Sequence, residues 1–410
     1  MPIDSNSLLW AAPVLWLAGV AAIVLLYLPD IRRLWREPVL RYPVLIVESD
    51  DWGAGPLVQA SALHDIAGVL RQFRDAAGRS PVLSLAVVLA VPNGRAISAD
   101  GTTYRRTCLD EPPLAPILDM LKQGEAEGLF SIQLHGLEHF WPDTLMASED
   151  ATVRKWLREP EPAFTERLPP HLQIRWIDAT VLPSKALARD TIRPAVTEEV
   201  DAFVRVFGRA PRIVVPPTFV WTGLVECAWA ASGIECVITP GERYTGCAAD
   251  GAFLDDGERF ANGDRSGSII YLVRCDYFEP SRGRGAEYAL RALRRASSEG
   301  RPCVLENHRD NFCRDPAVRV RSLGELEKLV AGALKLMPTV RFLSSGDLFR
   351  VMKTCEPQWL LLGFNERFPF LWQRLRHTGR LWTLLKFSGA VLPGELLMAL
   401  KSRAPACSHV

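Results

Sequence analysis

The residues most able to do chemistry are acids and histidines that stand where apolar runs end. The run VLIVESDDWG ends with Asp50 and Asp51, and adjacent carboxylates on an extended strand point in different directions. One of them can therefore bind a metal ion while the other stays free as a base. Taken alone, the pair would equally suit loop solvation or a helix cap.

A second group follows in FSIQLHGLEHF, where His135 and His139 are four residues apart. On a helical turn both side chains would lie on one face and could reach one ion. Together with Asp51 they would supply three protein ligands and leave positions for water and substrate, which is the pattern of a catalytic site. The sequence therefore predicts a metal centre, with Glu138 as a possible supporting partner.

A third group is the segment LENHRD, in which His308 follows a late apolar run. A lone histidine at such a place is more often structural. In a parallel β/α barrel, however, it would open onto the same C-terminal edge as the other two groups, where active sites are built.

The elements that position these groups alternate between apolar strands and amphipathic helices, which predicts an α/β fold with parallel strands. About seven β/α units favour a barrel over a doubly wound sheet. We expect a barrel domain over 37–352, with an irregular insertion at about 142–196 that is rich in charge, proline and tryptophan. Helices are expected near 58–76, 115–127 and 197–207.

Residues 1–36 form an anchor and a basic linker in this interpretation. Residues 8–28 carry no charge and are long enough to span a bilayer, which predicts one transmembrane helix. Four arginines follow the span, and by the positive-inside rule they favour a cytoplasmic position for the rest of the chain. A reporter fused to the C-terminus would distinguish this orientation from the opposite one.

The composition excludes one class of partner. The formal net charge is +1, and nucleic-acid binding normally needs a strong basic excess. Residues 353–410 mix tryptophans with arginines and lysines. This tail suits either a helix on the membrane surface or a helix that packs on the barrel.

Four motifs in this order resemble those of the polysaccharide deacetylase family, the NodB-homology carbohydrate esterases. They are SDDWG, HGLEH, GRAPRIVVPPTF and NHRD, and the resemblance covers about Val44 to Leu348. It implies a distorted seven-stranded (β/α) barrel of the NodB type and metal-dependent deacetylation. It also assigns Asp50 as the catalytic base, Asp51, His135 and His139 as ligands of Zn²⁺ or another divalent transition metal, and His308 as the general acid.

The resemblance also implies supporting roles. Pro217, Thr218 and Trp52 would lie near the acyl oxygen and the substrate, and Asp276 would tune His308. The family places an arginine that orients the base where this chain has Val215.

Two other arginines, Arg212 and Arg274, could replace the missing one. A second departure is Glu306, which stands where the family has a leucine.

The expected function is removal of N-acetyl or other acyl groups from the amino sugars of a polysaccharide or a glycolipid, at a membrane. A glycoside hydrolase on a related barrel is one alternative. It would need two carboxylates beside the bond, and Glu48, Glu138 and Glu306 are the candidates for them. A membrane-tethered sugar-binding protein without turnover is the other, and Val215 favours it.

Overall fold

The structure is a computed structural model, and residues 5–403 are those that it describes. They divide into two compact units. The larger consists of Tyr42–Ser297 and Pro302–Glu356, and the smaller of residues 5–41, 298–301 and 357–403. The larger unit contains every candidate site residue named above. Residues 1–4 of the predicted anchor and 404–410 of the predicted tail lie outside the described residues.

The described strands all belong to the larger unit. They are β1 (Val44–Gly53), β2 (Leu83–Val88), β3 (Ala90–Pro92), β4 (Arg106–Cys108), β5 (Phe130–Leu134), β6 (Ile177–Asp178), β7 (Lys185–Ala186), β8 (Ile213–Val214), β9 (Cys236–Thr239), β10 (Glu242–Cys247), β11 (Phe253–Arg259), β12 (Arg265–Ser266), β13 (Ile269–Val273), β14 (Asp276–Tyr277), β15 (Cys303–His308) and β16 (Arg341–Phe342).

Helices fill most of the connections between these strands and make up most of the smaller unit. They are α1 (Ser5–Leu26), α2 (Leu28–Arg36), α3 (Val58–Leu70), α4 (Gly94–Asp100), α5 (Ala115–Ala126), α6 (Pro142–Met146), α7 (Ala151–Leu157), α8 (Arg189–Phe207), α9 (Gly223–Ala231), α10 (Ala286–Ser298), α11 (Asp310–Cys313), α12 (Pro316–Leu336), α13 (Ser345–Thr354), α14 (Phe364–Arg376), α15 (Arg380–Phe387) and α16 (Val391–Arg403).

Ten strands form one sheet in the order β12-β13-β9-β8-β5-β2-β1-β15-β14, with β16 beside β1. Neighbouring strands are parallel except β12 and β13. Parallel strands need crossover connections, and the helices of these crossovers cover the sheet. All ten residues of β1 are accordingly buried. The predicted α/β class is confirmed.

The two ends of the sheet meet at a short stretch of chain between β13 and β14. The Arg274 N–H donates to the Thr239 carbonyl of β9 at 2.9 Å, and the Cys275 N–H donates to the Val304 carbonyl of β15 at 2.8 Å. The chain therefore changes its partner strand at Arg274. As a result the sheet curls, and Arg274 is held between its two ends.

Residues 142–196 are more regular than their composition suggested. They contain α6 and α7, and a small core of their own that includes Leu145, Trp156 and Ile177. The helix expected from Thr197 begins earlier, because α8 runs from Arg189. Apolar side chains at helical spacing stabilise these elements by burial.

The smaller unit packs around tryptophans of α14 and α15. Its buried side chains include Trp372, Trp382 and Leu385. The guanidinium of Arg374 donates to four carbonyl oxygens, of Glu299 at 2.8 Å and of residues 34, 37 and 38 at 2.9 Å each. These bonds join α14 to the end of α2, to the two residues after it and to Glu299 after α10.

The structure does not show the single transmembrane helix that the sequence predicted. No single helix among the described residues is both long and apolar enough to cross a bilayer, although α1 and α2 pass as a pair bent by 60°. The described residues of the smaller unit include twelve Lys and Arg but five Asp and Glu. They also expose large apolar side chains such as Trp16, Phe364 and Phe387. The membrane location stays a prediction.

Candidate metal centre and its acid–base groups

The candidate residues lie where neighbouring parallel strands end. Asp50 and Asp51 stand near the end of β1. His135 follows β5 directly, and His308 is the last residue of β15. The β1–β15 ladder pairs Asp50 with His308. Because the carboxyl ends of parallel strands meet at one edge, these side chains come together.

Asp51, His135 and His139 form one buried group. The Asp51 Oδ1 atom lies 3.1 Å from His139 Nε2 and 3.4 Å from His135 Nε2. Asp51 has a φ of 73°, a left-handed conformation that is costly for a residue with a Cβ. The β1–β2 register shifts between Ser49 and Trp52. This irregularity changes the direction of the chain at Asp51, so that its carboxylate contacts the histidines.

The two histidines lie on a loop, and the expected helical turn is wrong. β5 ends at Leu134, and residues 135–140 form no helix. Gly136 has a φ of 101°, and a Cβ at this position would lie 2.8 Å from the Glu138 carbonyl oxygen. Only glycine fits here without strain. A tight loop, rather than helical periodicity, therefore brings His139 back to His135.

A hydrogen bond sets the His135 ring for coordination. Its Nδ1 atom lies 2.7 Å from the Val215 carbonyl oxygen. A carbonyl can only accept, so Nδ1 carries a proton, and Nε2 is the ring nitrogen that remains available to an ion beside Asp51. The backbone of Val215 makes this contact, so the missing arginine side chain does not affect it.

The donor set of this group fits a divalent transition metal. It offers imidazole nitrogens from His135 and His139 and a carboxylate oxygen from Asp51, and these ligand atoms lie within 4.8 Å of one another. Three such ligands suit a catalytic zinc site with an open position. The Nδ1 atom of His139 is buried without a hydrogen-bond partner among the described residues.

Arg274 holds Asp50 in a bidentate ion pair. Its Nη1 donates to Asp50 Oδ2 at 2.6 Å and its Nη2 donates to Oδ1 at 2.7 Å. Burial would raise the pKa of Asp50, but the charge and hydrogen bonds of Arg274 outweigh burial and lower this pKa. Of the two arginines that the sequence left open, Arg274 is thus the partner of Asp50. Arg212 instead donates to Glu235 at the surface.

Two glutamates complete the surroundings of Arg274. Its Nε donates to Glu48 Oε2 at 2.7 Å, and its Nη1 lies 3.4 Å from Glu306 Oε2. Burial raises the pKa of Glu306 in spite of the nearby positive charge. The alternation of side chains along β1 places Glu48 and Asp50 on one face, and this is the only sequence signal for the cluster.

A different carboxylate from the expected one holds His308. Its Nδ1 lies 2.6 Å from Glu279 Oε1, and Asn311 Nδ2 donates to the other Glu279 oxygen at 2.6 Å. Asp276 instead accepts a hydrogen bond from Arg295 at 2.7 Å. The expected role of Asp276 is therefore corrected, because its side chain is paired elsewhere and Glu279 takes its place.

Replacing Glu279 with glutamine is expected to lower the pKa of His308. Burial would depress this pKa, but the hydrogen bond that His308 donates to Glu279 and the charges of Asp51, Glu279 and Glu306 raise it to about 10. Glutamine keeps the acceptor oxygen and removes the charge, so the pKa should fall by about 1–3 units.

Titration of His308 by NMR of its imidazole ring would measure the change. Glu287→Gln is the matched control, since Glu287 is exposed on α10 and pairs with Arg291. An equal pKa in the Glu279 variant and the control would contradict the assignment of Glu279.

Trp52 does not lie on the substrate side of the site, as the resemblance implied. Its side chain is fully buried, and its indole N–H donates to Ser49 Oγ at 2.8 Å. Its ring packs against Phe312, with ring centroids 6.5 Å apart. Trp52 therefore belongs to the core beneath the end of β1.

The segment of Pro217 and Thr218 lies beside the site. A Cβ on Gly136 would be 3.6 Å from the Pro217 ring, which places this proline against the histidine loop. Thr218 and the next residue, Phe219, have φ values of 53° and 57°. The Phe219 ring lies 5.3 Å from the Arg274 guanidinium carbon. The sequence did not identify Phe219, because an aromatic residue after a proline pair carries no specific signal.

Comparison with known proteins gives matches among solved structures alone. No family model and no curated protein match the chain. The peptidoglycan deacetylase PdaC from Bacillus subtilis is 10% identical, with 78% of this chain and 95% of that chain covered and a TM-score of 0.37. A CE4 family pseudoenzyme from Bacillus anthracis is 10% identical, with 75% and 66% covered and a TM-score of 0.35.

A 4-alpha-glucanotransferase from Thermococcus litoralis is 12% identical, with 75% of this chain and 39% of that chain covered and a TM-score of 0.36. Deacetylases and a deacetylase-family pseudoenzyme thus stand among the matches together with an enzyme of another activity. These structures are what the chain is similar to, at 10–12% identity and with TM-scores of 0.35–0.37.

Proposed function

We propose that this chain is a metal-dependent hydrolase that removes acetyl or other acyl groups from amino sugars of a polysaccharide or a glycolipid. One observation carries the proposal. A fixed carboxylate, Asp50, and a fixed imidazole, His308, are paired across two strands beside the group of Asp51 and its two histidines. Base, acid and ligand set are the three parts that amide hydrolysis at a metal requires.

Asp51, His135 and His139 would hold the ion, and zinc is the proposed identity because its preferred donors are present. A bound ion supplies Lewis-acid polarisation of the acyl carbonyl and makes the attacking water more acidic. The curled sheet that presents these residues is interpreted as the distorted barrel of the NodB type.

Asp50 acts as the base in this proposal. It is ionised because Arg274 lowers its pKa, and the bidentate pair fixes both of its oxygens. Asp50 accepts a proton from water while the water oxygen bonds to the acyl carbon. General-base catalysis of this kind contributes about 10²–10⁴-fold to a rate.

His308 acts as the acid. Its Nδ1 is held by Glu279, so its Nε2 carries the transferable proton. With a pKa of about 10, the ring is protonated at neutral pH. It donates this proton to the nitrogen as the carbon–nitrogen bond breaks, and the products are a carboxylic acid and a free amine. Pro217 and Thr218, beside the histidine loop, are proposed to contact the acyl oxygen.

The glycoside hydrolase alternative has less support in the geometry. Its candidate carboxylates were Glu48, Glu138 and Glu306. Glu48 and Glu306 both face Arg274, and Glu138 pairs with Arg175 at 2.8 Å. None of the three is left as a free pair across a substrate bond.

The non-catalytic alternative depended on the valine at the family's arginine position. Arg274, which follows β13, pairs with Asp50 although position 215 is a valine, and this pair supports a catalytic role.

The test is to incubate the full chain, loaded with zinc, with acetylated amino-sugar oligomers and to measure acetate and new reducing ends separately. We expect acetate without new reducing ends. A chelator should abolish acetate release, and zinc should restore it. Reducing ends without acetate would favour the glycoside hydrolase, and retained zinc with neither product would favour the sugar-binding protein.

A further inference from the structure

Two thiols contact each other close to the point where the ends of the sheet meet. The Cys275 Sγ atom lies 3.8 Å from the Cys303 Sγ atom, which is within hydrogen-bonding distance for sulfur. Cys303 is the first residue of β15, and the Cys275 N–H donates to the carbonyl of the next residue, Val304, at 2.8 Å. The two cysteines are 28 residues apart, so the closure of the sheet brings their sulfurs together.

The two cysteines differ in their exposure to solvent. Cys275 is partly exposed, whereas Cys303 is fully buried. A small oxidant can therefore approach Cys275 from the surface, and Cys303 is the thiol in contact with it on the inner side. No step of the proposed hydrolysis uses either thiol.

Their contact also makes the two sulfurs unequal in acidity. The hydrogen bond with Cys303 lowers the pKa of Cys275 in spite of burial, and the backbone of Val304 and the charge of Arg295 act in the same direction. Burial and the contact with Cys275 raise the pKa of Cys303. The thiolate is the nucleophilic form of cysteine, so Cys275 is the sulfur that attacks, and Cys303 keeps its proton.

A disulfide between these residues needs only a small movement. An S–S bond is about 2.0 Å long, so the sulfurs must approach each other by about 1.8 Å from their distance of 3.8 Å. Rotation of the two side chains about their Cα–Cβ bonds can supply a movement of this size. The backbone hydrogen bond between Cys275 and Val304 can then stay in place.

We infer that Cys275 and Cys303 are a redox-active pair, which a peroxide oxidises to a disulfide and a thiol reductant restores. The Cys275 thiolate attacks one peroxide oxygen, so that an S–O bond forms and the O–O bond breaks. The hydroxide that leaves takes up the proton that Cys275 had lost. The Cys303 sulfur then attacks the Cys275 sulfur, the S–S bond forms, and the S–O bond breaks. The second hydroxide takes the Cys303 proton, so two thiols and one hydrogen peroxide give one disulfide and two waters.

The disulfide restrains the stretch of chain that carries Arg274. Cys275 is the residue after Arg274, whose guanidinium holds Asp50, and Cys303 begins the strand that ends at His308. A bond between the two sulfurs closes a loop over 28 residues, which limits the freedom of the unfolded chain. Oxidation therefore stabilises the junction between this stretch and β15, and it does so independently of the proposed function.

The test is to treat the reduced full chain with hydrogen peroxide over a time course, block the remaining thiols with N-ethylmaleimide and map the peptides by mass spectrometry. We expect the Cys275 and Cys303 peptides to be joined by a disulfide that dithiothreitol reverses. Cys227→Ser is the matched control, because Cys227 is an exposed cysteine of α9, and it should leave this disulfide unchanged. Cys275 and Cys303 peptides that are each blocked singly would overturn the inference, as would a disulfide of Cys275 with another cysteine.

Single replacements distinguish the sulfur that attacks from the one that completes the disulfide. In Cys303→Ser, dimedone should trap Cys275 as a sulfenic acid, whereas in Cys275→Ser the buried Cys303 should stay unlabelled. Cys303→Ala gives the same readout if a serine in the core destabilises the chain. Labelling of Cys303 as fast as that of Cys275 would contradict the order of the two steps.

Denaturant unfolding measures the effect of the disulfide on the fold. The oxidised wild type should unfold at a higher midpoint than the reduced wild type, and Cys275→Ser should show no such difference after the same treatment. An unchanged midpoint in a chain whose disulfide has formed would overturn the stabilising role.

Discussion

Replacing Arg274 with methionine is expected to destabilise the larger unit by about 3–5 kcal/mol, the usual effect of breaking a buried ion pair. The variant would leave the carboxylates of Glu48 and Asp50 buried without their shared cation. It would also leave Glu306 without its nearest positive charge. Denaturant unfolding would show the effect as a lower midpoint with an unchanged slope.

The pH dependence of this effect has a definite sign. Arg274 lowers the pKa of Asp50 in the folded state, so the pair stabilises the fold above the unfolded-state pKa of the carboxyl group. That contribution is lost as the pH falls through the folded-state pKa. The difference between wild type and variant should therefore shrink in acid.

Arg212→Met is the control for Arg274→Met. Arg212 also pairs with a carboxylate, that of Glu235 at 2.8 Å, but its side chain is 55% exposed. An exposed pair contributes about 0–1 kcal/mol. If the two variants lost the same stability, the buried cluster around Arg274 would not have the role described for it.

Replacing Asp50 with asparagine is expected to lower kcat by about 10²–10⁴-fold while the zinc content stays unchanged. Asparagine has nearly the same shape and keeps one oxygen for Arg274, but it cannot accept the proton of the attacking water. Acetate release measured beside metal analysis would separate the two effects.

Asp119→Asn is the matched control, because Asp119 is exposed on α5 and should leave both quantities unchanged. Full activity in the Asp50 variant would remove Asp50 from the role of base. Loss of zinc from that variant would instead assign Asp50 to the metal.

The candidate ligands could be identified from the sequence because each of them stands beside an apolar run. Asp51 ends the run that forms β1, and His135 follows the run that forms β5. Two such strand ends in a parallel sheet point to one edge, so their proximity follows from the topology. We expected a helical turn to place His139 beside His135. A tight loop at Gly136 does so instead.

The residues that hold Asp50 and His308 could not be identified from the sequence in the same way. Arg274 is 224 residues from Asp50, and Glu279 is 29 residues from His308. Nothing in their local sequence distinguishes Arg274 from Arg212. The choice depends on where the chain changes its partner strand, which is a property of the closed sheet.

Trp52 and Asp276 were misplaced because a motif states spacing along the chain and not the direction of a side chain. A local shift in strand register at Asp51 directs Trp52 into the core. Arg295 of α10 binds Asp276, and only the packing of that helix against the sheet makes this contact.

The sequence by itself determined the α/β class, the order of the strands that carry the candidate site residues, and the residue types of a candidate metal site with a proposed base and a proposed acid. Local runs and spacings specify these features. The tertiary structure alone decided which arginine fixes Asp50 and which carboxylate holds His308. Those outcomes depend on contacts between distant segments, because burial of charge makes one pairing much more stable than its competitors.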